Sequence, residues 1–167
     1  MTLTLILMRH AKSGWDDPAL PDHARTLTAR GQTAARRMGR WLRDEGHVPD
    51  LILCSDATRT RQTVEGLQDT LGGDPDVRHL RALYHASAEA ILREVRQVGD
   101  VQTVLACGHN PGIGELAYRL VVAAPQHPRF ADYPTAATTV IACDVETWSQ
   151  IGTGICTAFV TPADLTD

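Results

Sequence analysis

Short, continuously apolar runs alternate along this chain with longer segments whose apolar residues recur at the helical period, and that alternation leaves few folds open. Residues 3–8 (LTLILM), 51–54 (LILC) and 101–107 (VQTVLAC) read as buried strands. Between the first two, Thr28 is placed to cap a helix carrying Ala34, Met38, Trp41 and Leu42 on one face, with Gly46 as its stop. Ser55-Asp56 offers N-caps for a second helix with Val64, Leu67 and Leu71, closed by the G-G-D-P at 72–75. Residues 77–83 read as a short strand, and Ser87 caps a helix carrying Ile91, Leu92, Val95 and Val98. Asn110 stands where an N-cap belongs and Pro111 at the first helical position, ahead of Ile113, Leu116, Ala117 and Leu120. Residues 123–135 form a loop; 138–144 and 154–160 read as two further strands around Trp148, close enough to pair antiparallel. Parallel neighbours need crossover connections, so the pattern predicts an α/β three-layer sandwich: a mostly parallel central sheet flanked by helices.

Length and composition narrow the class further. The 167 residues suit one domain spanning 1–167, and an apolar share of 43% with 22% charged residues is ordinary for a folded globular chain. No apolar run approaches the ~20 residues that span a bilayer, so no membrane partner and a cytoplasmic location are expected. A net charge of -4 argues against a nucleic-acid partner. Arg30, Arg36, Arg37, Arg40 and Arg43 then read as a solvated helix face. Cys54, Cys107, Cys143 and Cys156 are scattered singly, as buried free thiols would be.

In open α/β sheets ligands gather beyond the carboxyl ends of the strands, where His10, Ser55 and His109 would emerge. The segments carrying them are L-M-R-H-A, S-D-A-T-R-T-R-Q-T and G-H-N-P-G. Together they resemble the histidine phosphatase superfamily. The R-H-A-K-S-x-W start, the R-x-L-T-x-R-G segment at 25–31, L-Y-H-A-S and Y-P-T-A-A resemble its SixA-type phosphohistidine phosphatase branch. The resemblance covers nearly the whole chain and implies a phosphoglycerate mutase-like fold with no metal and no cofactor. It implies two steps, transfer of a phosphoryl group to His10 and hydrolysis of the phosphohistidine so formed.

Elementary chemistry gives each residue a role beside that resemblance. A nucleophilic imidazole must be neutral, which suits His10, and cations must balance the phosphoryl oxygens. Arg9 and Arg59 supply planar guanidinium forks, and Arg59 lies one turn into a helix whose N-terminus itself favours an anion. His109 can donate to a phosphoryl oxygen. Lys12, Ser13, Arg25 and Asn110 are placed to line the substrate rim. Taken singly, Arg9, Arg59 and His109 would pass for surface charges or helix-end residues; their joint pattern reverses that preference.

Larger superfamily members usually carry a carboxylic acid shortly after the third strand, and residues 80–85 (LRALYH) contain none. An alkoxide needs a proton donor to depart, whereas an imidazole leaving a labile N–P bond needs far less help. That favours a phosphohistidine substrate, with His85 as a candidate donor at the rim and Glu89 as a helix-start residue. The expected partner is a phosphorylated histidine-containing protein, of the phosphotransfer-domain kind, recognised through loops 15–23 and 123–133, with phosphate or another oxyanion in the site. Trp15 reads either as a wall for the substrate or, slightly preferred, as cover for the sheet edge. Cys54 and Arg59 are one residue short of the C-x5-R spacing, and no G-x-x-x-x-G-K-[ST] occurs, which removes cysteine phosphatases and P-loop enzymes. The remaining rivals are a small-molecule phosphomonoesterase or mutase of the same superfamily and a phosphohistidine-binding module without turnover.

Overall fold

A computed structural model describes residues 2–15 and 17–165, so Asp16 in the 15–23 loop lies outside the described residues. In chain order the elements are β1 (Thr2–Arg9), α1 (Ala29–Asp44), β2 (Leu51–Ser55), α2 (Thr58–Leu71), β3 (Asp76–Leu80), α3 (Ala88–Val95), β4 (Thr103–Gly108), α4 (Gly112–Leu120), β5 (Thr138–Asp144) and β6 (Ile155–Val160). Single 3-10 turns fall at Asp22–Ala24, Arg81–Leu83, Trp148–Gln150 and Pro162–Asp164. The strands form one sheet in the order β3-β2-β4-β1-β5-β6. Strands β1 to β4 run parallel, β5 lies antiparallel to β1, and β6 antiparallel to β5.

Side chains alternate across this sheet, and each face has its own core. Leu5, Leu7, Leu53 and Ala106 pack with Ile91, Leu92 and Leu116 of α3 and α4. Ile6, Met8, Ile52 and Leu105 pack with Met38, Leu42 and Leu67 of α1 and α2. The alternation is what β pleating imposes on a continuously apolar strand, so both faces need helices. Three layers result.

Element boundaries differ from the sequence reading most clearly at four places, each for a physical reason. The third strand stops at Leu80 because β2 offers no partner beyond Ser55, the register mate of Leu80. The chain then turns at Arg81–Leu83. Helix α2 is entered through Ala57 without a side-chain cap. Ser55 is still paired in β2, and Asp56 bonds His23 Nε2 at 2.8 Å instead. Helix α4 starts at Gly112, and Asn110 Oδ1 accepts the Gly114 amide at 3.2 Å, one position further in than a simple N-cap would. Helix α3 ends at Val95, leaving Val98 in the following turn, packed on the edge of the core. Trp148 is buried, its indole N–H donating to the Val101 carbonyl at 2.6 Å. Among the described residues no helix is long and apolar enough to cross a membrane.

Candidate active site

The parallel strands β1, β4 and β2 are neighbours, so their carboxyl ends open at one edge of the sheet. Arg9 is paired in register with Gly108, and the His10 amide donates to the Gly108 carbonyl at 3.0 Å. His109 follows at once, with its ring centroid 5.4 Å from that of His10. Arg59 projects from the first turn of α2 and is only 2% exposed. The four residues singled out from the sequence thus lie together, His10 and His109 both buried.

A loop from the far end of the chain holds the first two in place. Ala136 N–H donates to the His10 carbonyl (2.9 Å), Arg9 N–H to the Ala137 carbonyl (3.1 Å), and Arg9 Nη1 to the Tyr133 carbonyl (3.2 Å). Tyr133 and Ala136 adopt φ of 48° and 62°, a left-handed conformation that side chains other than glycine disfavour. Burial of the Tyr133 ring and its hydroxyl bond to the Leu7 carbonyl (2.8 Å) oppose that strain. The Y-P-T-A-A segment is therefore a clamp on the Arg9-His10 backbone.

The hydrogen bonds also fix where protons sit. His10 Nδ1 lies 2.7 Å from the Ala11 carbonyl, which can only accept, so Nδ1 carries the proton and Nε2 the lone pair. Burial, aided by Arg59, Arg9 and Arg25 and opposed by the Ala11 bond, pushes the His10 pKa down to about 3. His109 is pushed down to about 2, first by burial and then by the neighbouring His10, Arg59 and His85, against the pull of Asp22. Both imidazoles are neutral at ordinary pH. His109 Nε2 lies 2.7 Å from Ser55 Oγ, which also takes the Ala57 amide at 3.4 Å. The Ser55 proton has no other acceptor among the described residues, so it goes to Nε2, and the His109 proton resides on Nδ1.

Three buried donors near His10 then lack a partner: His109 Nδ1, Arg9 Nε and Arg59 Nε. Buried N–H groups without partners are uncommon and costly. Burial and the nearby Arg59 charge both lower the Arg9 pKa, so the two guanidinium groups repel across this pocket. Donors of this kind, two of them on guanidinium groups, suit the acceptor oxygens of an anion.

Asp22 and Tyr84 belong to this site and sequence reasoning missed both. The Asp22 carbonyl accepts from Arg59 Nη1 (2.8 Å), and its carboxylate Oδ2 accepts from Arg59 Nη2 (3.1 Å) and the Tyr84 hydroxyl (2.5 Å). Its other oxygen accepts from Arg25 Nε at 3.1 Å. Burial by itself would raise the Asp22 carboxyl, but the bonds from Tyr84, Arg59 and Arg25 outweigh it and hold the group far below the usual carboxylate range. These contacts span 37 and 62 residues of sequence, and the nearest local signal was that Asp22 precedes Arg25 by three positions.

The predicted rim residues divide. His85, at φ 50°, places Nε2 3.1 Å from Arg59 Nη2 and 3.2 Å from Asp22 Oδ2, and its ring stacks on Tyr84 and meets His109 edge-on. Arg25 reaches the site through Asp22 and donates to Ser13 Oγ at 3.1 Å. Trp15 is 68% exposed and lies under the Arg25 guanidinium at 3.6 Å, so it does not cover the sheet edge as expected. Asn110 differs from its expected place on the rim: its amide nitrogen holds the Tyr133 carbonyl (2.9 Å) while its oxygen holds Gly114 N, so both ends are occupied by backbone. Lys12 lines a separate surface depression with Arg30, Thr33 and Thr135 that includes none of the four central residues. Glu89, in the first turn of α3, pairs with Arg119.

Known proteins resemble this chain in sequence and in fold. The sequence profile of the Histidine phosphatase superfamily (branch 1) matches residues 5–85. An uncharacterized protein of Mycobacterium tuberculosis is 35% identical over 159 residues, covering 92% of this chain and 96% of the relative. A chloroplastic uncharacterized protein of Arabidopsis thaliana is 36% identical over 126 residues, and this chain spans 58% of that relative's length. Among solved structures, a protein of Nakamurella multipartitia bearing the name phosphohistidine phosphatase SixA superposes with a TM-score of 0.80 at 32% identity, covering 97% of each chain. One of the same name from Agrobacterium tumefaciens gives a TM-score of 0.77 at 26% identity, covering 96% of this chain and 98% of the other.

Proposed function

Because the chain belongs to the histidine phosphatase superfamily and to its SixA-type branch, with the phosphoglycerate mutase-like fold, we propose that it hydrolyses phosphohistidine on a signalling protein of the phosphotransfer kind. The observation that carries this reading is the protonation pattern: a buried neutral His10 with its Nε2 lone pair free, beside three partnerless buried donors. His10 Nε2 attacks phosphorus, and the P–N bond to the substrate imidazole breaks with its electron pair passing to that nitrogen. His109 Nδ1–H and the Nε–H groups of Arg9 and Arg59 balance the phosphoryl oxygens, the part a metal ion takes in other phosphoryl-transfer enzymes. Water then attacks the phosphohistidine on residue 10, releasing inorganic phosphate and restoring neutral His10. Asp22, held ionised, cannot supply a proton to an alkoxide, which disfavours sugar phosphates and related esters.

The test is dephosphorylation of phosphohistidine-bearing phosphotransfer proteins, with mass spectrometry of the trapped enzyme. Phosphate release and a phosphorylated His10 are expected, and His10→Ala should lose turnover while still binding phosphate. Robust turnover of a phosphorylated metabolite with none of phosphohistidine would favour the small-molecule reading. Tight binding of a phosphohistidine protein without turnover by the natural chain would favour a binding module.

A further inference from the structure

Asp22 is the one carboxylate hydrogen-bonded to any of the four central residues among the described residues, and its position is unusual for a mere counter-ion. A partner whose only task was to neutralise Arg59 would do so best when buried with it. Asp22 instead keeps 35% of its side-chain surface exposed while Arg59 keeps 2%, so the carboxylate stands between the phosphoryl-binding guanidinium and solvent. Its orientation is fixed from three directions: Arg59 from α2, Tyr84 and His85 from the turn after β3, and Arg25 from its own segment. A substrate whose phosphoryl group is held by Arg59 would bring its outer group near this fixed negative charge.

We propose that Asp22 selects the leaving group, accepting a hydrogen bond from the distal N–H of a phosphohistidine imidazole and repelling the anionic body of a phosphorylated carboxylic acid. This deepens the proposed function and rests on it. When the distal nitrogen of phosphohistidine is protonated, the P–N bond breaks to leave a neutral imidazole, and the proton stays on the ring throughout. A carboxylate facing that N–H favours the protonated, reactive form of the substrate by its charge. A phosphate ester offers no such proton, and an ester of a carboxylic acid brings a like charge to the same place. Attraction toward one leaving group and repulsion of the other act in the same direction on selectivity.

The readout is the ratio of kcat/KM for a phosphohistidine protein to kcat/KM for 3-phosphoglycerate, measured in the natural chain and in Asp22→Asn and Asp22→Glu. Asp22→Asn removes the charge at nearly constant shape, and the ratio should fall roughly ten- to a hundredfold. Asp22→Glu should recover a large part of it. A purely structural role, holding Arg59, would lower both kcat/KM values together and weaken inhibition by inorganic phosphate, with the ratio unchanged; that result overturns the inference. If the natural chain does not turn over phosphohistidine, the proposed function fails and takes this inference with it. Turnover by the natural chain with an unchanged ratio in Asp22→Asn refutes the inference alone.

Discussion

Replacing Ser55 with alanine tests the claim that a single buried hydroxyl decides which nitrogen of His109 carries its proton. The Ser55 side chain is fully buried, and its oxygen lies 2.7 Å from His109 Nε2. Removing it leaves a buried ring nitrogen without a donor, a penalty of about 1–3 kcal/mol. With the hydroxyl gone nothing keeps the proton off Nε2, so the ring is free to carry it there and leave Nδ1 bare. A bare Nδ1 presents a lone pair to the phosphoryl oxygens instead of a proton. Complete loss of such a donor costs about 10²–10³ in kcat. With about nine molecules in ten switched, kcat in Ser55→Ala falls about tenfold, and a fuller switch carries the loss toward about a hundredfold, with a much smaller change in KM. The assay is steady-state release of phosphate from a phosphohistidine protein, paired with ¹⁵N NMR of the histidine rings. A drop of less than about threefold, or shifts placing the proton on Nε2 in the unmodified protein, would refute the reasoning.

Three further outcomes follow from the same contacts. His10 and His109 are neutral in the folded state down to about pH 3 and 2, yet in the unfolded chain they take up protons near 6.5, so the unfolded form binds more protons in between. Stability should therefore decline as pH falls from about 6.5 toward 3, by at most about 1.4 kcal/mol per pH unit for each histidine, with His109→Gln flattening the slope in a thermal-melt series. In Gly112→Ala the new Cβ would stand 1.9 Å from the Ala86 carbonyl oxygen, pushing away the turn that bears Tyr84 and His85. A loss of about 1–3 kcal/mol in chemical denaturation and a fall in activity are expected. Tyr133→Phe deletes the donor to the Leu7 carbonyl but spares the backbone carbonyl that holds Arg9. Denaturation should show a loss of about 1–3 kcal/mol with kcat reduced far less than in Ser55→Ala.

Sequence alone determined the layered fold and the central residues, because both are written in local patterns. Pleating makes strands such as residues 51–54 apolar on both faces, and helical periodicity marks Met38 and Leu42 as a core stripe. Arg9-His10 and Gly108-His109 sit at strand ends, and parallel strands bring such ends together without further information. Boundaries were less legible: Ser55 looked like a helix cap, but strand pairing and a histidine 54 positions away claimed it. What only the tertiary structure decided is how the central groups are held and charged. Asp22 meets Arg59 across 37 residues, Tyr84 meets Asp22 across 62, and the Tyr133 hydroxyl reaches the Leu7 carbonyl across 126. No periodicity encodes these contacts, since each depends on where an irregular loop docks once the helices have covered the sheet. The same docking removes water from His10 and His109 and so sets their protonation, because burial penalises a charge only after the whole pocket has closed around it.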